Sequence, residues 1–242
     1  MSFEQDITEL VKASDRLTGM VDDKIDGIDA SVTQAINGID GRVNQAESQV
    51  TSYVSDARAE APFYRISKNQ VLNGTTGSVP DHWNSNTGLT YTLVQSVIAG
   101  KQWADRTAEE QALLTVMGRV GMVYIYVNFN IWRMDWTSQG LPAGSYTMYQ
   151  QVNNSTVITI AAMTKLLSGD INNYWAHGAK SEWSLTGIHS TPTPHGYQHT
   201  HPYRQTETGS LLFALPAAIT GKMPLDPTLW GIFPFIGGTQ ND

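Results

Sequence analysis

An eleven-residue ladder of branched aliphatic side chains constrains this chain more than anything else in it. Val21, Val32, Val43 and Val54 stand eleven apart; Ile25 and Ile36 repeat at the same interval, as do Ile28, Ile39 and Val50. On a helix advancing about 100° per residue, offsets of 0, 4, 7 and 11 fall within a stripe roughly 60° wide. The remainder of the segment is largely Asp, Asn, Gln, Ser and Gly, so this narrow stripe predicts burial against copies of itself in a parallel bundle. Eleven residues over three turns is about 3.67 per turn, which gives a straight or slightly right-handed supercoil. Ile at both kinds of core position shifts preference from dimers to trimers or tetramers. The expectation is a homotrimer whose core is Val21, Ile25, Ile28, Val32, Ile36, Ile39, Val43, Val50 and Val54. From Val21 to Ala57 the rod is roughly 55 Å long. Gly27, Gly38 and Gly41 each weaken it by about 1 kcal/mol relative to Ala, and Glu47 takes the place of an Ile. The alternative is one amphipathic helix docked on its own globular domain, although such faces are usually wider and richer in Leu and aromatics.

The charge follows the same division. Residues 1–60 carry twelve acidic and five basic side chains, whereas the rest of the 242-residue chain carries ten of each. The acidic excess solvates an exposed rod, and no basic footprint of a nucleic-acid binder is present. The chain contains no cysteine, which excludes disulfides, thiolate metal sites and a cysteine nucleophile. The opening Met1-Ser-Phe-Glu-Gln-Asp lacks the pattern of a signal peptide, and no apolar run approaches the roughly 18 residues of a membrane span. Synthesis in a cytoplasm without membrane insertion is the expectation.

Three regions can be read. Residues 1–20 hold a short amphipathic helix with Ile7, Leu10, Val11 and Leu17 on one side, ending at Leu17-Thr18-Gly19. Residues 21–61 form the stalk, which Pro62 cannot continue. Residues 62–242 hold all seven tryptophans and all ten prolines. Within them Thr107-Ala-Glu-Glu110 is a capping box opening one short helix through Met117, closed by Gly118 and Gly121. Val123 to Trp136 alternates as a long strand with both faces covered at least in part. Further strands are expected at 145–152 and 156–163, joined across Asn153-Asn154. The last third gives little periodic signal. The fold class is therefore an elongated homotrimer: an α-helical parallel coiled coil followed by a mainly-β domain, completed by contacts between chains.

Two constellations bear on chemistry. His199-Thr-His201 precedes Pro202, which biases His201 toward an extended conformation, so both imidazoles point to one side. On a threefold axis, three chains would bring six neutral nitrogens together, a set suited to iron or another octahedral divalent metal. His189 and His195 lie outside that spacing and read as loop residues. The second constellation is aromatic. Trp175, Trp183, Tyr174, Tyr197 and Tyr203 lie among Asn, Gln, Ser and Thr, as in sugar-binding surfaces; Trp175, Trp183, Tyr197 and Tyr203 are the candidate receptor contacts. Trp103, Trp132, Trp136 and Trp230 read as core. No nucleophile elbow, P-loop or zincin motif is present, and carboxylates are scarce beyond residue 60, so a binding protein is expected rather than an enzyme.

The opening Met1-Ser-Phe-Glu-Gln-Asp-Ile-Thr-Glu-Leu-Val, the Leu17-Thr-Gly and the Ile-Asp-Gly-Ile-Asp stretch, with the stalk and the aromatic, cysteine-free domain after them, resemble short tail fibres of bacteriophages. The resemblance covers about the first 60 residues. It implies a homotrimer in the virion tail, attached by its N-terminus to other tail or baseplate proteins and adsorbing to a host surface polysaccharide or lipopolysaccharide. The alternative is a structural fibre or adaptor of the collar, head or baseplate with no receptor of its own. His199-Thr-His201 is similar to the Gly-x-His-x-His repeats of T-even long tail fibres, which hold iron on the axis; here Gly196 stands three residues before His199, and the element occurs once.

Overall fold

The computed structural model describes residues 3–60, 63–138 and 142–236, and of residues 53–60 the backbone alone. The chain divides into two compact units, Met1–Pro62 and Phe63–Asp242. The first is one helix, α1, running unbroken over Phe3–Glu60. The helix end expected at Gly19 does not form. Gly19 keeps a negative φ like its neighbours, so the left-handed cap that stops a helix at glycine is missing. Along α1 the hydroxyls of Thr8, Thr18 and Ser31 donate to the carbonyls of Glu4, Ser14 and Gly27 four residues back, so the polar face satisfies part of itself. The apolar stripe lies open along the helix, from 48% exposed at Val21 to 62% at Val50. Val54 falls among the residues whose side chains lie outside the described set.

The second unit is mainly β. Its principal sheet joins β1 (Leu89–Val97), β2 (Phe129–Trp136), β9 (Gly209–Thr220), β4 (Ile158–Ser168) and β6 (Ser184–Ser190) in that order, every pairing antiparallel. Near-continuous apolar runs place β4 and β9 at the centre, because strands covered on both faces need no polar side. Every residue from Leu211 to Ile219 is buried. Pro216 cannot donate to a ladder, and β9 accommodates it with a bulge: Leu215 takes φ 51°, and the register against β4 shifts between Ala161 and Met163.

An apolar layer covers each face of this sheet. One contains Leu113, Leu114 and Met117 of α2 (Ala108–Val116) and its C-cap, together with Ile131 and Trp230. The other contains Trp132, Trp136, Trp175 and Phe213. The helix is the one expected, with both halves of its capping box made by Thr107 and Glu110. Trp132, Trp136 and Trp230 are core as expected, while Trp103 is only partly buried against it.

Two strand expectations change. Regular pairing of the 123–136 segment begins only at Phe129, opposite Val97, the last residue of β1. Residues 123–128 therefore have no regular strand partner among the described residues; the carbonyl of Val123 accepts from Gly100 N (3.0 Å) and Arg106 Nη2 (3.2 Å). Asn153-Asn154 does not turn one strand onto the next. β3 (Gln151–Asn153) pairs instead with β7 (Tyr197–His199), and Asn154 is a buried anchor whose Nδ2 donates to Ser190 Oγ and the carbonyl of Thr191. Arg65, near the start of the unit, lies beside residues 234–236: Arg65 N donates to Pro234 O (2.8 Å) and Ile236 N to Arg65 O (3.1 Å).

Candidate functional site

The segment from Tyr197 to Arg204 brings a row of histidine and tyrosine side chains onto one face. It leaves a turn at Gly196, where φ is 71°, and runs extended beside residues 144–153. The pairing includes β3 with β7, a bridge between Tyr146 and Tyr203, and backbone bonds from Thr147 N to Pro202 O (2.9 Å) and Thr200 N to Gln150 O (3.0 Å). Side chains of an extended segment alternate between its faces. Thr200, Pro202 and Arg204 point inward and are buried. The Arg204 guanidinium fixes this inner face by donating from Nη1 to the carbonyl of Thr137 (2.7 Å). Tyr197, His199, His201 and Tyr203 form the outer face.

These rings pack on one another. His195 lies 6.0 Å from Tyr197, Tyr197 lies 5.7 Å from His199, His199 lies 5.6 Å from His201, and His201 lies 5.0 Å from Tyr203, centroid to centroid. The neighbouring segment adds Tyr149, 5.0 Å from His199, and Tyr146, 5.2 Å from His201. Tyr174 closes the row at 5.5 Å from His201, and its hydroxyl accepts from Gln198 Nε2 at 2.9 Å. It stands in a short 3-10 turn, Tyr174–Ala176, that begins with two successive left-handed residues, Asn173 at φ 73° and Tyr174 at φ 47°. Such backbone is costly for non-glycine residues and persists where the surroundings over-determine it.

Burial among these rings holds the His201 imidazole below its ordinary pKa, and a charge on His199 would lower it further; a hydrogen bond at its own backbone opposes them. Burial raises the Tyr203 phenol, with Tyr174 adding to the effect. At neutral pH His201 and Tyr203 are therefore uncharged. Aromatic faces, phenolic hydroxyls and imidazole nitrogens in a row suit a ligand with apolar C–H faces and many hydroxyls.

His199 and His201 share a face, as the sequence implies. Among the described residues no group of three or more His, Cys, Asp and Glu could hold a metal ion, so one chain supplies only part of the octahedral set that the resemblance implies. Tyr197 and Tyr203 fall on the outer face, with Tyr197 exposed and Tyr203 half-buried. Trp175 and Trp183 do not join them. Trp175 is wholly buried against Phe213, and the indole N–H of Trp183 donates to Glu109 beneath the sheet. Both are core residues, because their neighbours Ala176 and Leu185 carry them into the two apolar layers. His189 is not a loop residue; it lies on β6 with Nδ1 3.1 Å from Thr159 Oγ1.

His195 stands in the turn before Gly196, a loop residue as the sequence implies, but its place in the row, like those of Tyr146 and Tyr149, is not read from sequence. A signal for the first was available: His195, Tyr197, His199, His201 and Tyr203 recur at every second position, a strand period within a region rich in Gly, Pro and Thr. No protein-family model matches the chain, and no curated protein matches it.

Proposed function

We propose that this protein is a trimeric tail fibre of a bacteriophage virion that adsorbs to glycan on the bacterial surface. The observation that carries the reading is the open stripe on α1, where eight branched aliphatics stand about half-exposed or more along one narrow line, in a stretch from Val21 to Val50 whose other residues are largely polar. Such a line finds burial in a parallel coiled coil of three copies, with residues 1–20 attaching to tail or baseplate proteins and 21–61 acting as spacer. The His and Tyr row of the β domain is the binding surface. Its stacked aromatic faces and hydroxyls support binding of glycan rather than its turnover. Three copies on one rod convert weak stacking contacts into avidity. The iron that the resemblance implies is a competing use of the same face: His199 and His201 from three chains would hold one ion on the axis, and their part of the row would then be covered rather than open to glycan. Elemental analysis tests it at one metal per three chains, lost in His199→Ala.

Binding of the full chain to a panel of bacterial lipopolysaccharides, capsular polysaccharides and whole cells tests the adhesin. Tyr197→Ala is expected to weaken binding at least tenfold while leaving the melting temperature in place, because the ring is exposed. Binding to virion proteins alone, with no glycan or cell bound, would replace this reading with a purely structural fibre or adaptor.

A further inference from the structure

A cavity of about 230 Å³ opens beside residues 119–127, lined by Ile125, Val127, Phe129, Leu215 and Ile232 and by one charged side chain, Arg119. Two glycines put that arginine there. Gly118 ends α2 in the left-handed conformation (φ 69°), and Arg119 N then donates to the carbonyl of Leu114 at 2.8 Å. Gly121 (φ 73°) lets Met122 N donate back to Arg119 O at 3.3 Å, which closes a tight turn. The guanidinium is held at the cavity wall by Nη2, which donates to the carbonyl of Trp230 at 3.1 Å. The rest of its N–H fork meets no protein acceptor among the described residues, and no carboxylate there pairs with it. Burial lowers the Arg119 pKa, yet a guanidinium stays protonated in proteins. The cavity therefore joins an apolar wall to a partly desolvated positive charge that nothing balances, an arrangement that costs free energy until an anion arrives.

We infer that this cavity binds a small organic carboxylate with an apolar body, such as an aryl or branched-alkyl acid. Arg119 would take the carboxylate through the free part of its fork, the geometry in which guanidinium and carboxylate match best. Ile125, Val127, Phe129, Leu215 and Ile232 would cover the body of the ligand, so one charged group orients it and the apolar lining supplies the burial. Size restricts the class. The volume is about one and a half times that of a roughly 150 Å³ cavity that holds benzene, room for one ring with a short acid arm. A strongly hydrated inorganic anion would forgo the apolar wall and gain only one cation. The site is separate from the His and Tyr row, and it stands whether or not the chain is a fibre.

Titration of the full-length protein with 3-phenylpropionate, with its neutral amide and with acetate tests the site, read from the δ1-methyl NMR signals of Ile125 and Ile232. The expected result is a saturable shift of both methyls with 3-phenylpropionate, binding about tenfold weaker for the amide, and no shift with acetate over the same range. Arg119→Gln removes the charge and is expected to weaken the acid by about tenfold while the melting temperature stays near that of the parent. The amide comparison needs no variant, so it decides the role of the charge even where that substitution unfolds the domain. Equal affinity for acid and amide, or no saturable shift at either methyl, overturns the site. Acetate shifting both methyls as 3-phenylpropionate does would reduce it to a surface charge and overturn it equally.

Discussion

The imidazole of His201 meets the Tyr203 ring edge to face, with centroids 5.0 Å apart and planes at 84°. Contacts of this geometry contribute about 0.5–1.5 kcal/mol beyond their buried area. The pair therefore helps hold the outer row rigid, and it also makes that row sensitive to acid. Because burial lowers the imidazole's pKa in the folded protein, the unfolded chain binds the proton more readily. His189 behaves in the same way: burial lowers it first, and Lys222 adds to the effect.

Acid should therefore destabilise the β domain before its carboxylates titrate. The contribution of the neutral imidazoles is complete above the unfolded value of about 6.5 and declines as pH falls below it toward the depressed folded values. Melting temperatures taken from pH 7.5 to pH 5 are expected to decrease through this window. His201→Phe keeps a ring in place without a titrating nitrogen and should flatten part of the decline. An unchanged slope in that variant would remove His201 as its source.

For the stalk, a charge placed within the stripe is decisive. In the proposed trimer, Ile36→Asp or Val32→Asp would bring three carboxylates together in an apolar core, where unpaired charge costs several kcal/mol. Analytical ultracentrifugation should find separate chains for the variants and trimers for the parent. Gln34→Asp, off the stripe, is expected to leave the assembly intact.

Trp175 separates the core reading from the receptor reading of the same residue. Its ring is fully buried beside Phe213, and its carbonyl accepts from Thr186 Oγ1 at 2.8 Å. Trp175→Ala should cost about 3–5 kcal/mol, the usual cost of emptying so large a buried site. Urea unfolding checks this. Tyr197→Ala, by contrast, should remain within about 0.5 kcal/mol of the parent, as most exposed substitutions do.

How much of this was legible in advance depended on whether a local pattern had to be completed by distant parts of the chain. The helix that carries the eleven-residue ladder and the Thr107–Glu110 capping box are each read within a few turns of one helix, and both stand where the sequence put them. Gly19 misled because glycine ends a helix only when it adopts the left-handed conformation, which the residue type permits but does not compel. Trp175 and Trp183 misled because polar neighbours in sequence do not decide burial; tertiary placement against Phe213 and Glu109 does. The outer row was half legible. Its period of two is visible from His195 to Tyr203, but Tyr146, Tyr149 and Tyr174 reach it only through strand pairing and an unusual turn, which no local pattern shows.

The carboxylate of Glu110 holds the 123–128 segment in place through Arg106. Its side chain is fully buried and accepts from Lys101 Nζ and Thr107 N, each at 2.8 Å, and from Arg106 Nη1 at 3.5 Å. Arg106 in turn donates through Nη2 to the carbonyls of Ile98 and Val123, both at 3.2 Å. One carboxylate thus ties the first turn of α2 to the end of β1 and to the start of the 123–128 segment. Removing it leaves a buried guanidinium without its counter-charge, and breaking one side of such a pair typically costs about 3–5 kcal/mol. Glu110→Ala is therefore expected to lower the urea midpoint markedly. It should also raise hydrogen exchange at the amides of 123–128 relative to those of β9. If exchange in that segment stays at the parent rate while the midpoint falls, the Arg106 link to Val123 is not what holds the segment in place.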